Sequence, residues 1–427
     1  MGPVPESSAQ RVQGRSRTVD TVHAVRILVV SNIYPPVAFG GYEVECSGVV
    51  ERLRESHDVL VLTSRAAGVE SEGGLRRELD LLTPDERGAA RAPAASLRAV
   101  RSARSALAWR PDMVYAWNGS SIPQAALRVL ADSGVPFAVR VCEHWFGKLF
   151  VEDQFMRELL PARRGPARAA WAAGSRAINR LPSLRLDPTA PFAGAISWNS
   201  EAIRRMVRTP AFFEPALERV GHSVPRFGDL YSDVVRDPAP EPEIVFLGRV
   251  TGYKGVAVAI EALSRLRTEH DISATLHVVG PEDREYGAEM HRLAEALGVA
   301  ASVRWHGQTP PEQAAGMLAR ASALIVPSVW EEPFPLVTIE GALARVPLVA
   351  SDVGGIGEGM HDEEHALLFA RGDADGAAAA LARTLSEGEE TAARVERAHE
   401  RAQRLFRIGP YLDEQERFVV DALAALS

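Results

Sequence analysis

Short apolar runs alternate with amphipathic segments along this chain, and the alternation predicts repeated strand–loop–helix units. The first run, Arg26–Ser31, has the length and continuous apolar character of a buried parallel strand. A loop rich in proline and glycine follows, then a helical pattern over 43–55 and a second strand over 57–62. Three later runs are predicted to be strands of the same sheet: 113–116, 137–141 and 195–197. This order is typical of a doubly wound α/β domain.

The periodicity stops over 228–243, a stretch that contains three prolines. A strand over 244–247 and a helix over 256–266 then restart the pattern. Further strand runs follow at 275–279, 303–305, 323–326 and 347–350. The sequence therefore predicts two doubly wound, Rossmann-like domains. Because ligands bind beyond the carboxyl ends of the strands in such sheets, we expect a site in a cleft between two facing domains.

These features divide the chain into a leader, two domains, a linker and a final helix. We expect disorder over 1–23, a first domain over 24–228, a linker over 229–243, a second domain over 244–407 and a last helix over 408–427. Gly409-Pro410 predicts a break before that helix. Five apolar side chains at helical spacing give the last helix a stripe that must be buried: Tyr411, Phe418, Val419, Leu423 and Leu426.

Composition excludes several classes of protein. No run of 18 apolar residues is present in the 427-residue sequence, so no membrane span is predicted. A net charge of −8 argues against a nucleic-acid partner, because such proteins normally carry a basic surface. The leader lacks the apolar core of a signal peptide. Two cysteines, Cys46 and Cys142, are too few for a disulfide framework, which favours a reducing cytoplasm.

The segment 248–255 is the first candidate for chemistry. It joins a buried strand to the start of a helix and carries Arg249 and Lys254 beside free backbone amides, an arrangement that suits a diphosphate. Lys254 is one of only two lysines in a chain with 46 arginines, which indicates a position where arginine does not fit. The alternative is a solvated turn with incidental charges.

Two carboxylates, Glu332 and Glu340, form the second candidate. If a helix starts near Pro335, Glu332 lies in the preceding loop and Glu340 lies one to two turns into the helix. One carboxylate could then hold sugar hydroxyls while the other reaches a ribose. The alternative is a helix with ordinary solvated glutamates.

The surrounding sequence turns these signals into a resemblance. In order, the chain shows G-R-x4-K-G from Gly248, E-x7-E from Glu332, and the turn Gly354-Gly355. It thereby resembles the retaining family 4 glycosyltransferases, a large group with the GT-B fold. The resemblance covers about 25–425 and is strongest over 244–370. It implies that the first domain takes the acceptor, that the second takes a nucleotide-sugar, and that the last helix returns to the first domain.

The resemblance also implies roles for individual residues. Arg249 and Lys254 would bind the donor diphosphate, Glu332 the donor sugar and Glu340 the ribose. The segment Phe334, Pro335, Leu336 and Val337 would contact sugar hydroxyls and the distal phosphate. Gly40 and Gly41 would let the first domain's backbone approach that phosphate. Pro335 departs from the glycine of many relatives and has no N–H to donate, which removes one hydrogen bond.

Two residues of the first domain are further candidates. His144 follows the predicted strand 137–141, where members of the family often have a histidine that reaches the donor sugar. With Arg249, Lys254 and Glu332 it completes the expected catalytic set, although a lone histidine is more often a packed or surface residue. Asn118 follows another strand and is a weaker candidate on the acceptor side.

The resemblance predicts no cofactor and no metal, because protein cations replace the metal in this fold. The string Asp373-Ala374-Asp375 matches a metal-binding D-x-D, but an acidic helix N-terminus explains it. Seven arginines and one acidic residue lie between Arg157 and Arg185. This excess could meet anionic lipid at a membrane surface, or an anionic acceptor, or it could be a solvated helical insert.

The predicted reaction moves a sugar from a UDP- or GDP-sugar to an acceptor hydroxyl with retention of configuration. The acceptor could be a saccharide, a lipid-linked compound or a small molecule. A GT-B nucleotide-sugar hydrolase or epimerase and a non-catalytic sugar-nucleotide-binding relative remain alternatives. A dinucleotide-dependent oxidoreductase is disfavoured, because 32–37 lacks the expected G-x-G-x-x-G.

Overall fold

A computed structural model describes residues 24–37, 41–66, 68–82, 86–149 and 191–427, together with Gly165, Pro166, Ala169 and Ala173. The predicted leader, Gly40 and nearly all of the arginine-rich segment 157–185 lie outside the described residues. Within the part described, none of the helices has the length and apolar character needed to cross a bilayer.

The first domain is built on a seven-stranded parallel sheet in the order β3-β2-β1-β4-β5-β6-β7. Its strands are β1 Arg26–Ser31, β2 Asp58–Ser64, β3 Leu75–Leu79, β4 Met113–Asn118, β5 Phe137–Val141, β6 Phe192–Trp198 and β7 Phe213–Val220. Its described helices are α1 Gly41–Arg54, α2 Glu86–Leu107, α3 Gln124–Ala131 and α4 Glu201–Met206. The central strands are buried on both faces, as their continuous apolar sequence requires.

The second domain is a six-stranded parallel sheet in the order β10-β9-β8-β11-β12-β13. Its strands are β8 Glu243–Leu247, β9 Thr275–Val279, β10 Val303–Gly307, β11 Ala323–Val326, β12 Leu348–Ser351 and β13 Leu367–Phe369. After the linker helix α5 Gly228–Ser232, its helices are α6 Val256–Glu269, α7 Arg284–Ala296, α8 Pro311–Arg320, α9 Leu336–Leu343, α10 Ile356–Gly359, α11 Ala374–Ser386, α12 Gly388–Leu405 and α13 Ile408–Leu426. Both sheets are parallel and doubly wound, so the predicted α/β class with two Rossmann-like domains is confirmed.

Three strands are absent from the prediction, and all three lie at sheet edges: β3, β7 and β13. The first, LRREL, carries three charges, and the second, FEPALERV, contains a proline and three charged residues. An edge strand is covered on fewer sides than a central one, so it can keep polar side chains that hide the apolar signal.

The predicted linker, 229–243, is more ordered than its sequence suggests. It begins within α5 and ends in the first residue of β8. Between them, Arg236 donates to the carbonyls at the end of α8, including Ala319 O at 3.1 Å, and Asp237 N also donates to Ala319 O at 3.0 Å. Backbone and guanidinium hydrogen bonds hold this segment on the second domain. Apolar periodicity cannot detect such an attachment.

The last helix crosses back and packs on the first domain. Phe418 and Val419, from its apolar stripe, are buried, and the Phe418 ring lies 5.8 Å from that of Tyr115. The Tyr115 hydroxyl also donates to Gln415 Oε1 at 3.1 Å. The chain therefore passes between the domains twice.

A buried ion pair lies under this helix. Arg140, on β5, is completely buried and donates to Glu45 Oε1 of α1 at 3.0 Å and to Ser223 Oγ at 3.2 Å. The hydroxyl of Tyr411, from the last helix, donates to the same Glu45 oxygen. Burial alone would lower the pKa of Arg140, but the surrounding Tyr411 and Glu45 raise it above its usual range. The pair thus joins two elements of the first domain to the last helix.

Arg140→Ala should lower the free energy of unfolding by about 3–5 kcal/mol, because it leaves the Glu45 carboxylate buried without its cation. Tyr411→Phe should lower it by about 1.5–3 kcal/mol, because the hydroxyl's hydrogen bonds to two charged groups, Glu45 and Arg140, are lost. Urea denaturation with linear extrapolation would measure both changes.

Asp421→Asn is the matched control for that experiment. Asp421 also joins the last helix to the first domain, through Arg219 at 2.6 Å, but both side chains remain open to solvent, with 48% and 38% of their surface exposed. Its effect should stay below about 0.5 kcal/mol, since exposed pairs contribute little. Equal losses for Arg140→Ala and Asp421→Asn would contradict the assigned importance of the buried pair.

Candidate functional site

The candidate site lies where the carboxyl ends of the two sheets face each other. In the second sheet, β8 neighbours β11, and the chain order reverses between them, which is the usual ligand position of a doubly wound sheet. The loop 248–255 follows β8, and the loop 327–335 follows β11. The predicted phosphate cations and Glu332 therefore come to neighbouring strand ends.

The loop with Arg249 and Lys254 is shaped by Gly255. This residue has φ +72°, and a Cβ on it would lie 1.8 Å from the carbonyl oxygen of Pro327. Only glycine permits this contact, which brings the start of α6 against the loop after β11. Arg249 is exposed, and its guanidinium lies 5.5 Å from the ring centre of Tyr253.

Lys254 and Glu332 form a direct ion pair across these two loops. Lys254 Nζ lies 2.6 Å from Glu332 Oε1, and the hydroxyl of Ser328 donates to that same oxygen. Glu332 is only 3% exposed, whereas Lys254 remains partly open to solvent. Among the described residues, no hydrogen bond is made by Glu332 Oε2. The second carboxylate oxygen is therefore available to a ligand.

The backbone around Glu332 is fixed from behind. Its carbonyl accepts the amide of Gly355 at 2.7 Å, and a Cβ on Gly354 would lie 2.1 Å from that carbonyl oxygen. Ser351 Oγ donates to the carbonyl of Ser328 at 2.7 Å. Glycine is therefore required at both positions of the predicted Gly-Gly turn, because a side chain would collide with the Glu332 loop that the turn supports.

Helix α9 starts at Leu336, next to the first domain. Pro335 is its N-cap, and no side chain caps the helix, so its first amides are not used by such a cap. A Cβ on Gly41 would lie 2.8 Å from Leu336 Cδ1, which brings the start of α1 against this helix end. Val337 is half-buried on the first turn.

Phe334 lies just before this helix and fills the interface. It is buried and stacks on His222 of the first domain with 4.9 Å between ring centres. The Phe334 side chain therefore packs between the domains, and a contact with a ligand could come only from its backbone.

Glu340 lies one turn inside α9 and is partly buried. Burial raises the pKa of its carboxyl to about 7. Tyr231 of the linker helix lies behind it: burial raises the pKa of that phenol, and the Glu340 charge adds to the shift. Among the described residues, no cation offsets the effect of burial on this pKa. A carboxylate in such a position is suited to accept hydrogen bonds from neutral hydroxyls.

His144 reaches the second domain, and Asn118 does not take part in this contact. The His144 ring lies 6.3 Å from that of Trp330, which lies 5.2 Å from Tyr253. Lys254 Nζ is 6.0 Å from the Trp330 ring centre. The structure thus brings His144 and the loop 248–255 to one aromatic side chain, Trp330, which the sequence analysis did not single out.

Asn118 has a local structural task. It is buried at the end of β4; its Oδ1 accepts the amide of Ser120 at 2.9 Å, and its carbonyl accepts the amide of Asn32 at 2.8 Å. These contacts shape the loop after β4 within the first domain. These contacts do not test the role of Asn118 on the acceptor side, which stays a prediction.

Sequence analysis also missed residues that join the domains beside Glu332. The hydroxyl of Ser200, at the N-cap of α4, donates to the carbonyl of Pro333 at 2.5 Å. Glu358, on α10, accepts the amide of Glu201 at 2.9 Å. The one signal in the sequence is position: Glu358 comes three residues after the Gly-Gly turn, and Ser200 starts a helix directly after a strand.

Several buried polar atoms in loops at the strand ends have no partner among the described residues. They include Thr251 Oγ1 and Trp330 Nε1 in the second domain, and Glu143 Oε1 and Asn199 Oδ1 in the first. Buried polar atoms are normally hydrogen-bonded. Their position at facing strand ends is consistent with a polar ligand.

Two groups of side chains have the composition of a metal site. Asp373 Oδ1 accepts the amide of Gly376 at 2.9 Å, which makes it the N-cap of α11, as predicted for the D-x-D string. His361, Glu364 and His365 lie close enough to share an ion. However, His365 Nδ1 accepts the amide of His361 at 3.2 Å, so the neutral ring carries its proton on Nε2, the nitrogen that faces Glu364. That arrangement suits a hydrogen-bonded cluster better than metal ligation.

Comparison with known proteins agrees with this geometry. Residues 231–401 match the family described as glycosyl transferases group 1. The chain is 28% identical over 413 residues to the glycogen synthase of Mycobacterium tuberculosis, with 89% of this chain and 90% of that protein covered. It is 34% identical over 156 residues, 36% of each chain, to the D-inositol 3-phosphate glycosyltransferase of Corynebacterium efficiens.

Two solved structures share the fold. Sucrose-phosphate synthase from Thermosynechococcus elongatus superposes with a TM-score of 0.69 at 20% identity, covering 94% of this chain and 100% of that one. Anabaena HepE in complex with UDP and glucose gives a TM-score of 0.64 at 18% identity, covering 94% and 99%. With its two facing parallel sheets, this chain is a glycosyltransferase of the GT-B fold, and its residues 231–401 match the family described as glycosyl transferases group 1.

Proposed function

We propose that the chain is a family 4 enzyme that transfers a sugar from a UDP- or GDP-sugar to an acceptor hydroxyl, with retention and without a metal ion. The observation that carries this proposal is the ion pair between Lys254 and Glu332, 2.6 Å apart at two neighbouring strand ends. It puts a cation suited to a diphosphate beside a carboxylate suited to a sugar hydroxyl. Leu336 and Gly41 bring a helix start and the first domain to the same place.

The proposed roles follow from these positions. Arg249 and Lys254 stabilise the charge that grows on the departing diphosphate, and the α9 amides at Leu336 and Val337 bind the distal phosphate. Glu332 Oε2 accepts a hydroxyl of the donor sugar. Glu340 accepts the ribose hydroxyls.

In the proposed step, the acceptor oxygen attacks the anomeric carbon on the face that the diphosphate leaves. The bond between that carbon and the phosphate oxygen breaks, and the acceptor proton passes to the departing phosphate. His144 comes from the first domain and would orient the donor sugar. Positioning and electrostatic stabilisation then supply most of the rate.

The choice of a UDP-sugar is supported by relatives. The HepE structure contains UDP and glucose, and another matching structure, described as trehalose-6-phosphate from E. coli, is bound with UDP-2-fluoro glucose. The acceptor is less constrained, because the relatives' names include a glycogen synthase, an inositol phosphate transferase and an α-maltose-1-phosphate synthase. A cytoplasmic location and membrane contact through 157–185 also remain proposals.

A thermal-shift screen against UDP, GDP, ADP and dTDP should show stabilisation by UDP or GDP, about 2.7 kcal/mol at a ligand concentration of 100 Kd. Glycogen and D-inositol 3-phosphate can then be offered as acceptors with the matching glucose donor. The anomeric proton of the product should show retained configuration by NMR. Inversion would contradict the retaining mechanism, and equal donor consumption without acceptor would favour the hydrolase alternative.

Arg249→Ala and Lys254→Ala should each reduce kcat/KM by about 30- to 1000-fold, the equivalent of about 2–4 kcal/mol of transition-state stabilisation. Lys254→Arg should also be harmful, because the planar guanidinium does not replace a compact ammonium against Glu332. Steady-state kinetics of nucleotide release would measure both effects. Arg292→Ala, on an exposed position of α7, is the control, and a threefold change or less in the Lys254 variants would remove the assignment.

Activity should persist in excess EDTA, because Arg249 and Lys254 supply the positive charge that a metal would bring. The measurement is the transfer rate before and after extensive chelation. Complete loss that is restored by Mg²⁺ or Mn²⁺ would show that the two side chains are not sufficient.

Donor affinity should rise by about tenfold between pH 6 and pH 8, since ribose binding needs the ionised form of Glu340. Its carboxyl has a pKa of about 7, so it is mostly protonated at the lower pH and mostly ionised at the higher one. Because the pKa of Glu340 is higher in the folded protein than in the unfolded chain, protonation of Glu340 stabilises the ligand-free folded state at low pH. This contribution to the free energy of unfolding is lost as the pH rises through about 7. Calorimetric titration with a UDP-sugar measures the affinity, because its esterified diphosphate does not titrate in this range.

Glu340→Gln is the control for this pH dependence. The variant should bind the donor more weakly at pH 8 and show little change in affinity between pH 6 and pH 8. A slope equal to that of the parent enzyme would assign the titration to another group.

A further inference from the structure

The carboxylate of Glu358 lies in the second domain but is bound by groups of the first. Its Oε2 accepts the amide of Glu201 at 2.9 Å and lies 3.3 Å from His222 Nε2, and its Oε1 lies 3.3 Å from a guanidinium nitrogen of Arg205. The amide of Ala202 contributes a further hydrogen bond. Burial alone would raise the pKa of this carboxyl, but hydrogen bonds from His222 and from the two amides hold the pKa below its usual range.

Glu358 is also tied rigidly to the second domain. It lies on the short helix α10, whose last carbonyls, Glu358 O and Gly359 O, accept hydrogen bonds from Arg401 of α12 at 3.0 and 2.8 Å. Helix α10 begins directly after the turn Gly354-Gly355. The turn supports Glu332, whose carbonyl accepts the Gly355 amide at 2.7 Å.

A second contact across the cleft reaches the residue next to Glu332. Ser200 is fully buried and donates to the carbonyl of Pro333 at 2.5 Å while its Oγ accepts the amide of Ile203 at 3.0 Å. The start of α4 in the first domain therefore touches the Glu332 loop on one side and the α10 helix on the other. Both contacts need the two domains to be close together.

We propose that Glu358 is a positioning residue for sugar transfer: held across the cleft by Glu201, Arg205 and His222, it fixes the Gly354-Gly355 turn and, through it, Glu332. This inference rests on the proposed role of Glu332. The first domain thereby completes the geometry of the donor site in the second. The proposed nucleotide-binding residues Arg249 and Glu340 make no direct contact with Glu358 among the described residues, and Lys254 touches this network only through Glu332. Loss of Glu358 should therefore affect turnover much more than nucleotide affinity.

Glu358→Gln keeps the shape of the side chain and removes its charge. We expect kcat, measured as UDP release from UDP-glucose with the acceptor that supports transfer, to fall about tenfold or more. The reason is that a misplaced sugar contact slows the chemical step. The affinity for UDP, measured by calorimetry, should change less than threefold. Hydrogen exchange of the Gly355 amide in the UDP complex should become faster. A kcat within twofold of the parent enzyme would overturn the proposal.

Arg205→Ala tests whether the effect comes from the first domain. Arg205 is largely exposed, with 68% of its side chain accessible, so its removal should leave the fold intact. It should lower kcat in the same direction, and the double variant with Glu358→Gln should be no worse than Glu358→Gln alone. Additive losses would show that Glu358 acts only within its own domain and would reject the cross-domain role.

Two further variants separate the possible failures. Glu396→Gln removes a carboxylate that pairs with Arg345 at 3.3 Å within the second domain, and it should leave kcat unchanged. Glu332→Gln tests the proposed function itself. If Glu332→Gln retains full activity, the proposed function fails. If Glu332→Gln is inactive while Glu358→Gln is fully active, only the role of Glu358 fails.

Discussion

The fold depends most on the buried pair of Arg140 and Glu45. A completely buried guanidinium needs partners for its charge and for most of its N–H groups, and Glu45, Ser197, Ser223 and Tyr411 bind its two terminal nitrogens, whereas Nε has no partner among the described residues. One of these partners, Tyr411, comes from the last helix of the chain. The core of the first domain is therefore complete only when the C-terminus has crossed back to it.

This return determines how the two domains can move. The chain connects them through the linker at 229–243, which is hydrogen-bonded to α8, and again before α13. We expect the two covalent connections to restrict relative motion to a hinge, so that the loops that follow the strands of both sheets approach along one path. Gly41 and Ser200 lie on this path in the first domain, and Leu336 and Pro333 are the groups they meet. The return of the last helix to the first domain therefore helps to set the contact geometry of the site, although this helix is distant from the site residues in the sequence.

The local elements of this structure could be predicted from the sequence, and the long-range contacts could not. Central strands such as Arg26–Ser31 and Ala323–Val326 could be predicted to the residue, because burial on both faces leaves a nearly continuous apolar run. The Lys254 and Glu332 loops were recognisable because each is a short motif at a strand end. The contact of Glu358 with Glu201 spans 157 residues, and an isolated glutamate does not encode it. Likewise, Arg140 inside the run FAVRV gives no sign of its partners, which lie on four other segments.

The use of lysine at position 254 can be explained from the same geometry. In the described structure, Lys254 Nζ and the Ser328 hydroxyl both bind Glu332 Oε1, so the ammonium is neutralised before any diphosphate arrives. An ammonium on a flexible stem has three donors and can keep one hydrogen bond to Glu332 while it turns another towards a phosphate oxygen. A guanidinium would tend to pair with the carboxylate through two parallel hydrogen bonds, and its rigid plane would prevent its remaining donors from turning independently towards the phosphate. In a chain where arginine replaces lysine almost everywhere, this shared role is a physical reason for the exception.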